Sequence, residues 1–190
     1  RRFFRHMGLD PLGIGRATAR NVRARAFVEG GSTISQQLAK NVFLSRKRTL
    51  LRKLHEALLA VLIELRYSKD QILEFYLNQI YLGQRGTWSV CGLEEAALYY
   101  FNKHVGELSI GEGALLAGII PAPNRISPYR DPDLAIARRN EVLDDMVVCG
   151  FIARGESERA RRTPLRFAPS PRPSTRAPYF VDYVRETLAR

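Results

Sequence analysis

The chain has 190 residues, 45% of them apolar, and thirty Lys and Arg against nineteen Asp and Glu give it a net charge of +11. That length suits one sizeable core and that composition excludes the disordered class, while the basic excess points to polyanions or an anionic lipid face as partners. No run reaches the ~18 apolar residues of a membrane span and Arg1-Arg2 does not open a signal peptide, so an anchor is expected outside this chain, which reads as a trimmed fragment.

In chain order, residues 9–30 mix Pro11, Gly13 and Gly15 with scattered Arg, a pattern without periodicity that predicts a loop-rich, mobile segment. Gly30-Gly31 then supply a turn. Thr33 with Gln36 reads as a capping box opening a helix over 32–43, whose polar face carries Gln37, Lys40 and Asn41. Residues 49–66 place Leu51, Leu54, Leu58, Val61, Leu62 and Leu65 at helical spacing without Gly or Pro, which predicts a buried core helix. Ser68 with Gln71 opens a helix over 69–82, with Gln71, Glu74 and Asn78 on one face.

After a Gly-rich turn at 83–86, helices are expected over 93–100 and 111–120, the second capped by Ser109 with Glu112 and rich in small residues, so packing closely. A proline-rich loop over 121–132 leads to Asp131-Pro132, which starts a helix running to Gly150. A short helix over 155–162 follows. Residues 163–178 read as a Pro/Ser/Arg linker, and 179–188 as the start of a further element. Few runs alternate as strands do, so the fold class is all-α. Cys91 and Cys149 form no ligand cluster and are expected as buried thiols, and no metal site is expected.

Several residues admit two readings. Arg52, Lys53 and Glu56 put charge on an otherwise apolar helix, which fits a solvated face with an ion pair of roughly 0.3 to 0.5 kcal/mol as well as a functional cluster. Glu74 and Asn78 fit an ordinary helix surface equally well. Two glycines before a Ser/Thr-capped helix suit a phosphate, yet such turns are also plain caps. His6 beside Phe3 and Phe4 fits a core histidine, and Trp88, Tyr99, Tyr100 and Phe101 fit packing.

The order of these pieces is more specific than any one of them. Residues 30–41, Gly-Gly-Ser-Thr-Ile-Ser-Gln-Gln-Leu-Ala-Lys-Asn, resemble the GGSTxxQQ signature of the peptidoglycan glycosyltransferase domain of class A penicillin-binding proteins. Arg52-Lys53-x-x-Glu56 is similar to that family's RKxxE motif, and 69–78 to KxxILExYLN. Arg138-Arg139-Asn140 with Val142 and Leu143 resembles its last motif. The resemblance covers residues 1–165, leaving 166–190 as a linker towards an absent transpeptidase domain.

It implies a lysozyme-like helical fold with a head, a membrane-apposed jaw and a cleft between them. It implies that lipid II is joined to a lipid-linked glycan strand with inversion and release of undecaprenyl pyrophosphate. Such chemistry needs a base for the acceptor hydroxyl and cations for the departing pyrophosphate. By the resemblance Glu56 is the second functional carboxylate, ion-paired to the basic cluster and orienting it, and the catalytic residue expected within this chain. The same resemblance makes His6, Ser32, Thr33, Gln36, Gln37, Lys40, Asn41, Arg48, Arg52, Lys53, Glu74 and Asn78 the substrate-binding set. Mg²⁺ is a candidate to share the phosphate load without a dedicated cage.

The first motif of the family reads EDxxFxxHxG, and this chain begins at Arg1, just after where the Glu-Asp pair stands. The expected general base is therefore missing, and the chain as given is expected to bind substrate without polymerising it. Gln71 stands where some monofunctional members carry Glu, which leaves Glu56 as the better carboxylate. Expected partners are lipid II, the glycan strand, an anionic membrane surface and cell-wall synthesis proteins, at the periplasmic or extracytoplasmic face of the bacterial inner membrane. A basic nucleic-acid-binding module is the main rival, but no recognition-helix pattern or aromatic stacking motif accompanies it, so no nucleic acid is expected. A non-catalytic membrane scaffold is the other.

Overall fold

Capping side chains decide where most of the helices begin. The computed structural model describes residues 3–26, 30–44 and 49–169, apart from the side chains of Arg5 and Leu50. Among them the fold is mostly helical, as expected, with one small two-stranded sheet. The chain divides into two units, Arg1–Ile80 and Tyr81–Arg190.

The first unit holds a 3-10 turn at Phe3–Arg5 and four helices: α1 (Pro11–Ala24), α2 (Ile34–Phe43), α3 (Leu50–Arg66) and α4 (Lys69–Gln79). Helix α1 corrects the loop expected over 9–30. Asp10 caps it by accepting from the Gly13 amide at 3.0 Å, and Pro11 sits in the first turn, where its missing N–H is no loss. Behind those breakers lie Ala and Arg residues that favour helix.

Both expected capping boxes are present. Thr33 Oγ1 accepts from Gln36 N at 3.2 Å while Gln36 Oε1 accepts from Thr33 N at 2.9 Å, and Ser68 with Gln71 repeats the arrangement on α4. Helix α4 stops at Gln79, short of the expected 82, because Ile80 turns extended into a strand.

Leu38, Ala39, Ile63 and Ile72 form the core of this unit, with Phe3, Ile34 and Leu59 packed against it. Helix α3 meets that core with Glu56, Ala60 and Ile63. The leucines expected to be buried face outward: Leu51, Leu54, Leu58, Leu62 and Leu65 are all 50 to 66% exposed. Periodicity identifies an apolar face but not what covers it, and α3 has two such faces. The small Ala60 wins the inner one because Gly8, at φ +82°, brings backbone against it; a Cβ there would lie 2.9 Å from the Ala60 carbonyl oxygen.

Glu64 is buried on the same helix and is met on two sides. Ser35 Oγ donates to it at 2.5 Å and Lys69 Nζ at 2.7 Å. Lys69 also donates to the His6 carbonyl at 2.5 Å and lies 4.6 Å above the Phe3 ring. One carboxylate thus ties α2, α3, α4 and the first residues together.

The second unit opens with an antiparallel hairpin, β1 (Tyr81–Arg85) and β2 (Trp88–Cys91), in which Gln84 lies opposite Ser89. It replaces the expected Gly-rich turn, with Leu82 and Val90 inward. Helices α5 (Leu93–Phe101), α6 (Ile110–Ile119), α7 (Pro132–Val148) and α8 (Arg154–Arg162) follow close to their expected bounds. Helix α6 is the centre: Leu115, Leu116 and Ile119 are fully buried, and a Cβ on Gly118 would lie 3.1 Å from the backbone of Arg138 on α7.

Tyr99, Tyr100 and Tyr129 cluster as packing residues, with Tyr100 donating to the Leu82 carbonyl at 2.9 Å, and burial pushes the Tyr100 and Tyr129 hydroxyls up to about 12. Residues 163–169, expected as linker, are docked here: Ala168 N donates to Tyr100 O at 2.8 Å and Phe167 stacks on Phe101. The rest of that expectation, 170–190, lies outside the described residues. Arg139 of the last motif is buried and donates to Asn140 Oδ1 and the Arg161 carbonyl, a structural use. Trp88 is 65% exposed, so it does not pack as expected. Neither cysteine is the buried thiol expected: Cys91 is exposed at the hairpin end and Cys149 half-buried at the last turn of α7.

Leu115→Ala should lower stability by about 2 to 5 kcal/mol in urea denaturation, and Leu58→Ala by no more than about 0.5 kcal/mol. Burial would raise the Glu112 carboxyl, but the Lys103 ammonium at 2.7 Å and the Ser109 donors outweigh it and hold it below its usual value. Its contribution is therefore complete above the unfolded value near 4.3 and lost as pH falls through the lower folded one. The stability gap between the native chain and Glu112→Gln should narrow as urea denaturation is repeated from pH 6 down to pH 3.

Candidate functional site

Thr49 caps α3 by accepting from Arg52 N at 3.1 Å, which fixes Arg52 and Lys53 in the first turn of that helix. From there Lys53 Nζ donates to Ser32 Oγ at 2.8 Å, joining the helix to the turn before α2. One turn further in, Glu56 is 2% exposed; Lys53 Nζ contacts its Oε1 directly and Arg52 Nη1 lies 3.6 Å from its Oε2. This is no solvated helix face. A buried carboxylate is tolerable only when paired, and here two cations share it, leaving the trio with one net positive charge.

Arg52 Nε is buried and has no hydrogen-bond partner among the described residues. A guanidinium with a spare donor, an ammonium already anchored on both sides and the positive end of α2 together suit an anionic oxygen cluster such as a phosphate.

The remaining candidates fall into three groups. Thr33 and Gln36 are buried; Thr33 Oγ1 donates to the Gly8 carbonyl at 2.6 Å and both side-chain oxygens serve the cap. In these positions the two side chains shape the turn before α2. Gln37 is half-buried, with Oε1 accepting from the Tyr76 hydroxyl at 3.3 Å; burial pushes that hydroxyl up to about 12, so it remains a donor. Lys40 and Asn41 are exposed further along α2.

His6 packs edge-on against Phe3, with its carbonyl taken by Lys69. Glu74 and Asn78 are exposed on α4, and among the described residues no hydrogen bond or ion pair joins them to the Lys53 cluster. Arg48 lies outside the described residues. Sequence reasoning missed Glu64, although a lone Glu two turns after Glu56 on an apolar helix was a usable signal.

Charge is divided unequally. Arg1–Ile80 carries fifteen Lys and Arg against six Asp and Glu, whereas Tyr81–Arg190 carries fifteen against thirteen. Most of the basic excess therefore belongs to the unit that holds the cluster. Among the described residues no three His, Cys, Asp or Glu gather as a metal cage, and no helix is long and apolar enough to cross a membrane.

The Transglycosylase family matches residues 1–147. Penicillin-binding protein 1A of Aquifex aeolicus is 48% identical over 185 residues, covering 97% of this chain and 25% of that one. Penicillin-binding protein 1B of Haemophilus influenzae is 42% identical over 190 residues, 100% of this chain and 24% of its own. The crystal structure of penicillin-binding protein 1A from Haemophilus influenzae superposes with a TM-score of 0.54 and 34% identity, covering 64% of this chain and 18% of that chain. The chain spans about a quarter of the length of these curated relatives. A match over residues 1–147, with near-half identity to a penicillin-binding protein along almost the whole chain, makes this chain a member of the Transglycosylase family.

Proposed function

We propose that this chain is a peptidoglycan glycosyltransferase domain that binds lipid II and a lipid-linked glycan strand through their pyrophosphates. The observation that carries this reading is Lys53, held between Ser32 and the buried Glu56 beside an Arg52 with a spare donor. In the reaction the acceptor sugar hydroxyl attacks the anomeric carbon of the donor strand, its proton passes to a base, and the bond to the pyrophosphate oxygen breaks with inversion. Negative charge then grows on the leaving pyrophosphate. Lys53 and Arg52 are fixed before that charge appears, so they stabilise it without reorganising. Glu56 is a positioning residue: engaged by both cations, it sets where they point. Lys40 and Asn41 extend the polar surface along α2.

The basic excess of Arg1–Ile80 supports an anionic membrane surface as a partner, and a lipid-borne substrate supports a reaction at a membrane, which the resemblance makes the extracytoplasmic face of the bacterial inner membrane. Partnership with cell-wall synthesis proteins rests on the resemblance alone. Mg²⁺ belongs to the pyrophosphate in this reading and not to the protein, since no cage of three ligands stands among the described residues. EDTA should accordingly leave the Tm of the ligand-free chain unchanged.

Lipid II in detergent micelles, titrated into the chain, should bind saturably, and Lys53→Ala should weaken it by about tenfold or more, the worth of a hydrogen bond to a charged group. Lys40→Ala should weaken it less. Affinity indifferent to both substitutions would remove these residues from the site. Salt-sensitive retention of duplex DNA without lipid II binding would replace the reading with nucleic-acid binding.

A further inference from the structure

Glu64 is a second buried carboxylate on α3, its side chain 3% exposed, to which the pyrophosphate reading gives no part. About three turns of helix and about 16 Å separate it from Lys53, so both project from one face of α3. Both hold the same short segment. Lys53 Nζ donates to Ser32 Oγ at 2.8 Å and Ser35 Oγ donates to Glu64 Oε1 at 2.5 Å, so residues 32–35 are pinned to α3 at two points. Thr33 Oγ1, between them, donates to the Gly8 carbonyl at 2.6 Å.

The two points are unequal. The Lys53 side chain is 47% exposed, so water competes for its bond to Ser32. Ser35 is fully buried and its partner is a carboxylate, so that bond is charge-assisted and shut off from water. One attachment leaves a turn free to swing about it, and the second fixes its direction. Glu64 is itself held in place: Lys69 Nζ lies 2.7 Å from its Oε1 and 2.6 Å from its Oε2, while donating to the His6 carbonyl and lying 4.6 Å above the Phe3 ring. Lys69 also cancels the Glu64 charge, so this anchor adds no negative field to a site built for an anion.

We propose that Glu64 is a positioning residue for the phosphate site: through Ser35 it fixes the turn before α2, and thereby the Ser32 hydroxyl that aims Lys53. The inference rests on the pyrophosphate reading above. Glu64 touches no phosphate in this arrangement. Lys69, although basic and close by, serves as its counter-charge and not as a ligand for the substrate.

The test titrates inorganic pyrophosphate into the full chain, Ser35→Ala, Lys53→Ala and the variant carrying both, with Tm measured for each. Ser35→Ala cuts the link to the turn and leaves the Glu64–Lys69 pair intact. It should weaken pyrophosphate about three- to tenfold, the worth of one hydrogen bond. In the Lys53→Ala background the same substitution should change affinity by less than about twofold, because no Lys53 is left to aim. A general loss of packing would instead weaken both backgrounds alike, and that additivity would overturn the proposal. If Ser35→Ala does not fold, a second comparison decides. Glu64→Gln with Lys69→Met is uncharged but still offers Ser35 an oxygen, and it should bind about three- to tenfold more tightly than Glu64→Leu with Lys69→Met. Equal affinity of these two would overturn the positioning role. Binding that depends on Lys53 but not on Ser35 would keep the pyrophosphate reading and sink this inference alone, whereas a native chain without affinity for pyrophosphate would sink both.

Discussion

Two carboxylates buried on the inner face of α3 organise the first unit. Glu56 and Glu64 cannot be left unpaired in an apolar setting, and each draws in partners from elsewhere in the chain. Glu56 takes Lys53 and Arg52, and through Lys53 it reaches Ser32 in the turn before α2. Glu64 takes Ser35 and Lys69, and through Lys69 it reaches the His6 carbonyl. Ser32, Ser35, Arg52, Lys53 and Lys69 of the family's motifs are therefore tied to one helix, and removing either carboxylate would leave its cationic partners without a counter-charge.

This arrangement explains how a strongly basic unit can present cations in fixed positions. Lys and Arg side chains on a surface are mobile and their ion pairs contribute little. Lys53 is held at two points and Arg52 is largely buried, so their direction is set before any ligand arrives. The second unit is nearly balanced in charge and relies on other chemistry: a tyrosine cluster, a capped and buried α6, and the Glu112–Lys103 pair at its start.

Much of this was legible in the sequence where the signal was local. Thr33 with Gln36, Ser68 with Gln71 and Ser109 with Glu112 named three helix starts, because a capping box needs only four consecutive residues and no tertiary partner. Helix α1 escaped because Pro11 and Gly13, taken as breakers, stand in the first turn, where neither breaks a helix and Asp10 supplies the cap. The hairpin escaped because its strands are short and its turn glycine-rich.

The sequence by itself determined the helical class, most helix boundaries and the family, since capping, periodicity and motif order are written along the chain. Which face of α3 is covered was decided only by the fold: the backbone at Gly8 closes on Ala60, so the leucine stripe is turned to the opposite side. The same holds for the division of labour within the motifs. Thr33, Gln36 and Lys53 look alike as conspicuous polar residues in sequence, yet burial assigns the first two to the cap and leaves Lys53 bridging a hydroxyl and a carboxylate. Spacing states which residues can meet; only packing states which are shut off from water, and burial fixes what each polar group must pair with.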